Sequence, residues 1–231
     1  MHAVRVWDLP VRLFHWLLTA GIAVAFVTAK IGGAMMVWHG RAGLFVLGLL
    51  VFRVVWGCIG SPHARFASFV RGPAAIRAYL QGRWRGTGHN PLGALSVIGL
   101  LAFVGAQVGT GLFSNDDIAF QGPLAGALDE AWSARLGAIH LQLQYVLIGL
   151  VLLHVAAIVY YLAVKRDNLV KPMLTGWKTI EAATPPPAPP RHRPLALVIA
   201  AAVALAAVLA AGGGWRAAPA PVAAPVAVPA W

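Results

Sequence analysis

The chain has 231 residues, of which 59% are hydrophobic and 11% are charged, and its mean hydropathy is +0.74. Soluble domains carry about 25% charged residues, so this composition excludes an ordinary soluble domain and a disordered chain and favours a membrane protein. The single cysteine, Cys58, excludes a disulfide framework, an iron–sulfur site built from this chain alone and a covalently attached c-type haem. The net charge of +11 would suggest nucleic-acid binding in a soluble protein. Here we attribute it to arginines on the cytoplasmic side of a membrane, with no nucleic-acid partner.

Five apolar stretches are long enough, at about 20 residues, to cross a bilayer as helices. The first follows Asp8 and Pro10, which are typical of a helix start. We expect it to be a retained helix rather than a cleaved signal peptide. The fourth is long enough to tilt or to project from the bilayer. The predicted spans are residues 13–29, 38–60, 91–113, 136–164 and 195–211, which indicates an all-α membrane protein.

Basic residues set the predicted orientation of these spans. The segments 61–90 and 165–193 hold five and six lysines or arginines, whereas the alternate loops hold two and one. Four of the seven acids lie instead in the loop 114–136. We therefore expect the N-terminus in the cytoplasm and, with five spans, the C-terminus in the periplasm.

A run of prolines at residues 185–190 predicts a polyproline-type spacer between the fourth and fifth spans. We expect a four-helix domain over residues 1–181 and a Pro-rich linker over 182–194. A fifth transmembrane helix over 195–214 and an Ala/Pro-rich periplasmic tail over 215–231 complete the predicted organisation.

Four of the eight histidines, His15, His39, His140 and His154, lie within or at the rim of an apolar span. Ionisable groups there are rare, costly and usually functional. His140 and His154 are 14 residues apart, so they share one helix face about 21 Å apart along the axis. Depth in the membrane pairs His15 with His154 near the inner face and His39 with His140 near the outer face.

Two histidine pairs at two depths are what two b-type haems require, because neutral imidazole binds haem iron and six-coordinate iron favours electron transfer. Interhelical hydrogen bonds or a proton relay are the alternatives. A zinc or copper site is a further alternative, but ligands split between two depths argue against one metal cluster. His63 and His89 lie among arginines and are weak ligand candidates.

Several further residues could contact a haem. Gly43, one turn after His39, could let the macrocycle approach the backbone; Gly21, Gly99, Gly105 and Gly109 could do the same, although close helix packing explains them equally well. Arg41 and Arg53 could each bind a haem propionate through their fork geometry. The alternatives are a lipid phosphate for Arg41 and snorkelling for Arg53.

Three other types of residue, tryptophan, glutamine and cysteine, receive simpler interpretations. Trp56, near a span end, is expected in the interfacial belt together with Trp7, Trp38, Trp132 and Trp177. Gln107, like Gln142 and Gln144, could line a quinone pocket, but a helix–helix hydrogen bond is the preferred role. Cys58 is interpreted as a small buried residue.

Short motifs accompany the histidines. They are Val6-Trp7-Asp8-Leu9-Pro10-Val11-Arg12-Leu13-Phe14-His15-Trp16, His39-Gly40-Arg41-Ala42-Gly43, Gly88-His89-Asn90-Pro91-Leu92-Gly93-Ala94 and Asp167-Asn168-Leu169-Val170. With them, residues 4–180 resemble the bacterial cytochrome b561 and nickel–iron hydrogenase cytochrome b family. The fifth span and the tail depart from the four-helix pattern of that family.

The resemblance implies a four-helix bundle in the bacterial inner membrane that holds two non-covalent, bis-histidine haems b. The implied ligands are His15 with His154 and His39 with His140. The implied function is electron transfer between the quinone pool and a redox partner, often periplasmic, such as a c-type cytochrome, a hydrogenase small subunit or another dehydrogenase. The first motif is more similar to members that serve c-type cytochromes, and an acidic outer loop suits a basic partner.

We expect an electron-transfer subunit, within a larger membrane complex, rather than an independent enzyme. Two alternatives stay open. One is a stand-alone quinone-linked oxidoreductase that acts on a small diffusible species. The other is a structural subunit whose fifth helix anchors a larger complex.

Overall fold

The computed structural model describes residues 2–84, 90–116, 120–180 and 193–213. Its helices are α1 (Leu9–Ile31), α2 (Met36–Ile59), α3 (Phe66–Phe69), α4 (Pro73–Leu80), α5 (Pro91–Phe113), α6 (Glu130–Ala163), α7 (Val170–Thr175) and α8 (Pro194–Ala211). Two short strands, β1 (His2–Arg5) and β2 (Trp177–Ile180), form an antiparallel pair. Single 3₁₀ turns lie at Gly33–Met35 and Ala125–Ala127. The all-α membrane fold is confirmed, since α1, α2, α5, α6 and α8 are long and apolar enough to cross a bilayer.

Side-chain caps decide where the long helices begin. The Asp8 carboxylate accepts a hydrogen bond of 2.8 Å from the Val11 N–H, so α1 begins at Leu9 rather than at residue 13. Asp129 caps α6 through the Trp132 N–H at 2.9 Å, so this helix begins at Glu130, before the apolar stretch. With 34 residues, α6 is about 51 Å long and projects beyond a hydrocarbon core of about 30 Å.

The transmembrane helices pack as two close pairs joined at the centre. The helix α1 packs against α2 and α5 packs against α6, while α2 also contacts α5. A buried cluster joins α2, α5 and α6 through Val46, Leu50, Val104, Val108 and Leu147. Because α1 and α6 belong to different pairs, side chains on these two helices face each other across the space between the pairs.

The fifth helix, α8, packs along α2 in the antiparallel direction. Arg193 donates from Nη1 to the Ile59 carbonyl at 3.3 Å, and a Cβ on Gly48 would lie 2.9 Å from Val208 Cγ2. Gly48 is nine residues after His39, about 180° around the helix. The helix α8 therefore covers the face of α2 opposite His39. Most of the predicted linker and the whole predicted tail lie outside the described residues.

Two ends of the bundle differ in structure. At the end that carries β1, which we call the N-terminal end, the Val6 N–H donates to the Gly176 carbonyl at 2.9 Å, and the two strands tie α1 to the chain after α6. At the opposite end, the loop after α5 folds back, with the Leu124 N–H donating to the Leu112 carbonyl at 2.8 Å. The segment before α1 and the segment after α6 are thus held together by backbone hydrogen bonds.

Candidate functional site

The structure brings the four intramembrane histidines together in two pairs. At the N-terminal end, the ring centroids of His15 and His154 are 6.5 Å apart, with an interplanar angle of 49°. At the opposite end, the centroids of His39 and His140 are 6.0 Å apart, with an angle of 86°. Within the described ranges no three or more histidine, cysteine or acidic side chains cluster around a common point. Each site thus offers two protein ligands, which suits a metal whose remaining ligands come from a prosthetic group.

The ring separations fit two imidazoles on opposite sides of one iron. Two metal–nitrogen bonds of about 2 Å each, together with the half-widths of the rings, require centroids about 6 Å apart. Both pairs meet this requirement. Each pair could therefore hold the iron of a haem through its two ring nitrogens.

Backbone carbonyls orient both rings of the His39/His140 pair. Nδ1 of His39 lies 2.8 Å from the Ala25 carbonyl oxygen, and Nδ1 of His140 lies 2.8 Å from that of Gln107. In each bond the ring Nδ1–H donates, which leaves Nε2, with its lone pair, as the atom that can bind a metal. Such a bond at the remote nitrogen is the usual support of a metal-binding histidine, because it fixes the tautomer and the ring plane.

Gln107 holds α5 to α6 at this level of the bundle. Its amide Nε2 donates to the His140 carbonyl at 3.1 Å and also lies 3.2 Å from His140 Nε2. The helix–helix hydrogen bond is thus the role that the structure shows for Gln107. An iron on His140 would take the Nε2 lone pair and leave Gln107 its bond to the carbonyl.

The His15/His154 pair has a different environment. Nδ1 of His15 is buried and has no hydrogen-bond partner among the residues that the structure describes. The His15 ring instead packs edge-on against Trp16, with centroids 4.9 Å apart. The ring plane of His15 is therefore set by packing rather than by a hydrogen bond to the backbone.

Arg53 and Arg41 lie in contrasting surroundings. Arg53 is only 3% exposed, its guanidinium stacks over Phe66 at 4.6 Å, and its Nη1 has no hydrogen-bond partner in the described part of the chain. Snorkelling is therefore not its role. A buried guanidinium N–H without an acceptor is costly, and a carboxylate such as a haem propionate would satisfy it. Arg41 is exposed and stacks over Trp38 at 4.9 Å.

Comparison with known proteins shows the family to which the chain belongs. The family model for prokaryotic cytochrome b561 matches residues 6–176, which include all four histidines. The chain belongs to the prokaryotic cytochrome b561 family. It is therefore a multi-pass membrane cytochrome of the b type, with haem b as its prosthetic group and electron transport as its general activity. No solved structure matches the chain.

Curated relatives of this cytochrome are hydrogenase subunits by name. This chain is 26% identical over 226 residues to proteins named "Probable Ni/Fe-hydrogenase B-type cytochrome subunit" from Azotobacter chroococcum mcd 1 and Azotobacter vinelandii. In both, the match covers 79% of this chain and 91% of the relative. A protein of the same name from Cupriavidus necator is 27% identical over 224 residues, covering 78% of this chain and 88% of the relative.

Helix glycines of the cytochrome fall into two groups. A Cβ on Gly43 would meet no atom within 4 Å, and the same holds for Gly99, Gly105 and Gly109. These half-buried positions leave room for a flat macrocycle against the backbone. Gly21 is different, because its Cβ would lie 3.0 Å from Val46 Cγ2. Close packing of α1 on α2 explains Gly21.

Two residues at the His39/His140 pair escaped the sequence analysis. A Cβ on Gly111 would lie 2.8 Å from His140 Cε1, so this glycine makes room for the ring. Phe120 packs edge-on against His39, with centroids 5.6 Å apart, and covers Gly40. Neither position has a periodic pattern or a motif, since both contacts join segments that are distant in sequence.

A polar cluster at the N-terminal end was also missed. Tyr161 is seven residues after His154, on the same helix face. Its hydroxyl hydrogen-bonds to that of Tyr79 and accepts a bond of 2.7 Å from Asn90 Nδ2. Asn90 also caps α5 through the Gly93 N–H at 2.7 Å. The cluster fixes α4, α5 and α6 to one another on the N-terminal side of the His15/His154 pair.

Two sequence interpretations are wrong. Trp56 is not an interfacial residue, because it is 4% exposed and donates from Nε1 to Asp8 Oδ2 at 3.0 Å. Cys58 is not buried but exposed. The two residues are two positions apart, about 200° around α2, so burial of one side chain turns the other outward. Among the other sequence candidates, His89 lies outside the described residues and His63 lies at the N-terminal end, away from both pairs.

Proposed function

We propose that this cytochrome holds two non-covalent haems b and carries electrons across the bacterial inner membrane. His15 and His154 would bind the iron of an inner haem, and His39 and His140 that of an outer haem. Electrons would pass between the quinone pool and a redox partner at the periplasmic face. The observation that carries this proposal is the presence of two histidine pairs with axial-ligand spacing at opposite ends of one bundle.

The spacing of the pairs suits transfer across the bilayer. His140 and His154 lie on one face of α6, about 21 Å apart along its axis. This is a large part of a hydrocarbon core of about 30 Å. When bound, each haem iron takes up and releases a single electron. The chain supplies the axial nitrogens, excludes water and holds the two sites at fixed depths.

Charge at the two ends supports the proposed orientation. Basic residues crowd the N-terminal end, including Arg65, Arg71 and Arg77 in and around the short helices α3 and α4. Exposed Asp129 and Glu130 lie at the opposite end. By the positive-inside rule, the N-terminal end is cytoplasmic and α8 ends at the periplasm.

Other residues would position the haems rather than coordinate them. The carbonyls of Ala25 and Gln107 would hold the tautomers of the outer pair. Arg53 would pair its free Nη1 with a propionate of the inner haem. Gly43 would let the outer macrocycle lie against α2. Arg41, exposed near His39, could bind a propionate only by leaving its stacking position on Trp38.

The names of the relatives favour a hydrogenase as the redox partner. An acidic periplasmic surface suits a basic partner, including a c-type cytochrome. Either partner makes this chain an electron-transfer subunit. Copurification with the hydrogenase or with a c-type cytochrome decides between them. Quinone-linked oxidation of a small molecule by the isolated chain, or a chain without haem absorbance, would instead support the oxidoreductase or the anchor alternative.

Haem counting tests the proposal directly. A pyridine haemochrome assay on the purified full-length chain should show about two b-type haems per polypeptide, extractable by acidic acetone. One haem, or a covalently bound haem, contradicts the proposal. Partial reduction by added quinol, followed in the visible spectrum, tests the quinone as donor in the same sample.

Single histidine substitutions test the pairing. His39→Ala and His140→Ala should each remove or convert to high spin the same spectral component, because each deletes one of two axial bonds. His15→Ala and His154→Ala should affect the other component. His63→Ala, which removes a histidine outside both pairs, is the control and should leave both components intact. Damage to one common component by His15→Ala and His39→Ala would show that the pairing is wrong.

A further inference from the structure

A cavity of about 530 Å³ lies between α1, α2 and α8 at the N-terminal end of the bundle. Leu13, Leu17, Phe52 and Leu197 form much of its apolar wall. Leu13 is two residues before His15, about 200° around α1, and Phe52 is turned away from His39 on α2. The cavity is therefore separate from both histidine pairs and opens toward lipid.

The cavity has a basic mouth. Arg5, His63 and Arg193 line it at the membrane surface. Arg193 makes one bond to a backbone carbonyl, that of Ile59. The side chains of Arg5 and His63 have no hydrogen bond or ion pair within the described part of the chain. Three basic groups, two of them without a protein partner, thus face one opening.

The acid and the hydroxyl at the same site are already engaged. The Asp8 carboxylate accepts from the Val11 N–H at 2.8 Å, from Trp56 Nε1 at 3.0 Å and from Ser61 Oγ at 2.5 Å. It caps α1 and ties that helix to the end of α2. Asp8 therefore leaves the basic groups at the mouth available for an external anion.

We propose that this cavity binds one anionic phospholipid of the leaflet at the N-terminal end. Its phosphate would lie at Arg5 and Arg193, beside His63, and one acyl chain would extend along the apolar wall. Basic pockets between transmembrane helices are typical sites for acidic head groups. Because α8 provides Arg193 and Leu197, the bound lipid would also fasten the fifth helix to the four-helix bundle.

A quinone fits the same cavity less well. Its neutral head group could accept hydrogen bonds from the arginines but forms no ion pair with them, whereas a phosphate gains both. The neutral donors at the mouth, Ser61 and Trp56, already donate to Asp8. The proposal concerns this cavity alone and does not require a particular haem count or redox partner.

Native mass spectrometry of the full-length cytochrome tests the proposal. The delipidated protein is titrated separately with phosphatidylglycerol, phosphatidylcholine and ubiquinone. We expect one phosphatidylglycerol to bind at least tenfold more tightly than phosphatidylcholine. Arg5→Gln together with Arg193→Gln should weaken this binding by about 25-fold, because each arginine contributes about fivefold. The double variant Arg71→Gln and Arg77→Gln removes the same charge from the same membrane face and should bind normally.

A second variant tests the apolar wall without changing charge. Leu197→Trp should fill the cavity and weaken phosphatidylglycerol binding, while the visible haem spectrum reports that each variant is folded. Equal binding of both phospholipids, preferential binding of ubiquinone, or equal loss in the Arg71/Arg77 variant would overturn the proposal. Retention of full binding by the Leu197→Trp protein would overturn it as well.

Discussion

At the end of the bundle opposite β1, His39 and His140 both donate their Nδ1–H to backbone carbonyls, whereas His15 at the N-terminal end has a buried Nδ1 without a partner among the described residues. The two pairs have similar ring separations, 6.0 Å and 6.5 Å. They differ in what holds the rings. Hydrogen bonds and a covering phenylalanine fix the outer rings, while packing alone positions His15.

This difference separates two ways of preparing an axial ligand. A ring fixed by its remote nitrogen is oriented before the metal arrives. A ring set by packing relies on the iron bond and on neighbouring charges to hold it. We therefore expect the outer site to be sensitive to small changes in helix packing and the inner site to changes in charge. The predictions below follow from this comparison.

Gly111→Ala should have the largest effect, and only on the outer site. The added Cβ would lie 2.8 Å from His140 Cε1 and 3.0 Å from its Nδ1, so the ring must move and lose its bond to Gln107. We expect the haem content to fall from two to about one per chain, measured by pyridine haemochrome. Gly149→Ala on α6, the helix that carries His140, is the control, because its added Cβ would meet no atom within 4 Å. An intact outer component in the Gly111→Ala protein would contradict the assignment of His140.

Arg53→Gln should shift the potential of the inner haem without removing it. Loss of a buried positive charge favours the oxidised iron, so the midpoint potential should fall. A hydrogen bond to a charged group contributes about 1.5–3 kcal/mol, and because only the part that differs between the two oxidation states moves the potential, the shift should not exceed about 60–130 mV for one electron. Redox titration of both components measures the shift.

Arg53→Lys keeps the charge and loses the fork geometry, so its shift should be smaller than that of Arg53→Gln. Unchanged potentials in a folded Arg53→Gln protein would show that Arg53 serves only to pack on Phe66.

Thr110→Val should produce a small shift at the outer site. The Thr110 hydroxyl donates to the Ala106 carbonyl at 2.8 Å, and its oxygen lies 3.3 Å from His140 Nδ1, where it is a second acceptor for the ring N–H beside the Gln107 carbonyl. Without this second acceptor, His140 donates less strongly, becomes a less basic ligand and raises the outer potential. The hydrogen bond contributes about 0.5–1 kcal/mol, so the midpoint potential should shift by at most about 20–40 mV. A shift confined to the inner component would contradict this account.

Truncation after Thr184 should change neither haem site. The helix α8 contributes no histidine and packs on the face of α2 opposite His39. The visible spectrum and haem content of the inserted truncated protein should match those of the full chain, although lipid binding and assembly with a partner should weaken. Loss of either haem would place α8 within the haem-binding bundle and overturn the predicted division after residue 181.

Much of this architecture follows from local sequence. Hydrophobic runs of sufficient length predicted the five spans, because a single apolar segment can satisfy its own backbone hydrogen bonds in lipid only as a helix. The third span, Pro91–Phe113, agrees at both ends, since Asn90 caps it and Pro91 begins it. The helical period alone placed His140 and His154 on one face. Alternating helix direction then assigned each a neighbour at its own depth, and the structure brings those neighbours within 6.5 Å.

Contacts between distant segments were decided only by the tertiary structure. Burial of Arg53 depends on Phe66, the clearance of His140 depends on Gly111 across the α5–α6 interface, and Phe120 reaches His39 from a loop. A periodic pattern shows which face of a helix is apolar but not which neighbour covers it. In a membrane this ambiguity is greater, because lipid and protein are equally apolar and hydropathy does not distinguish a face that packs from one that meets lipid.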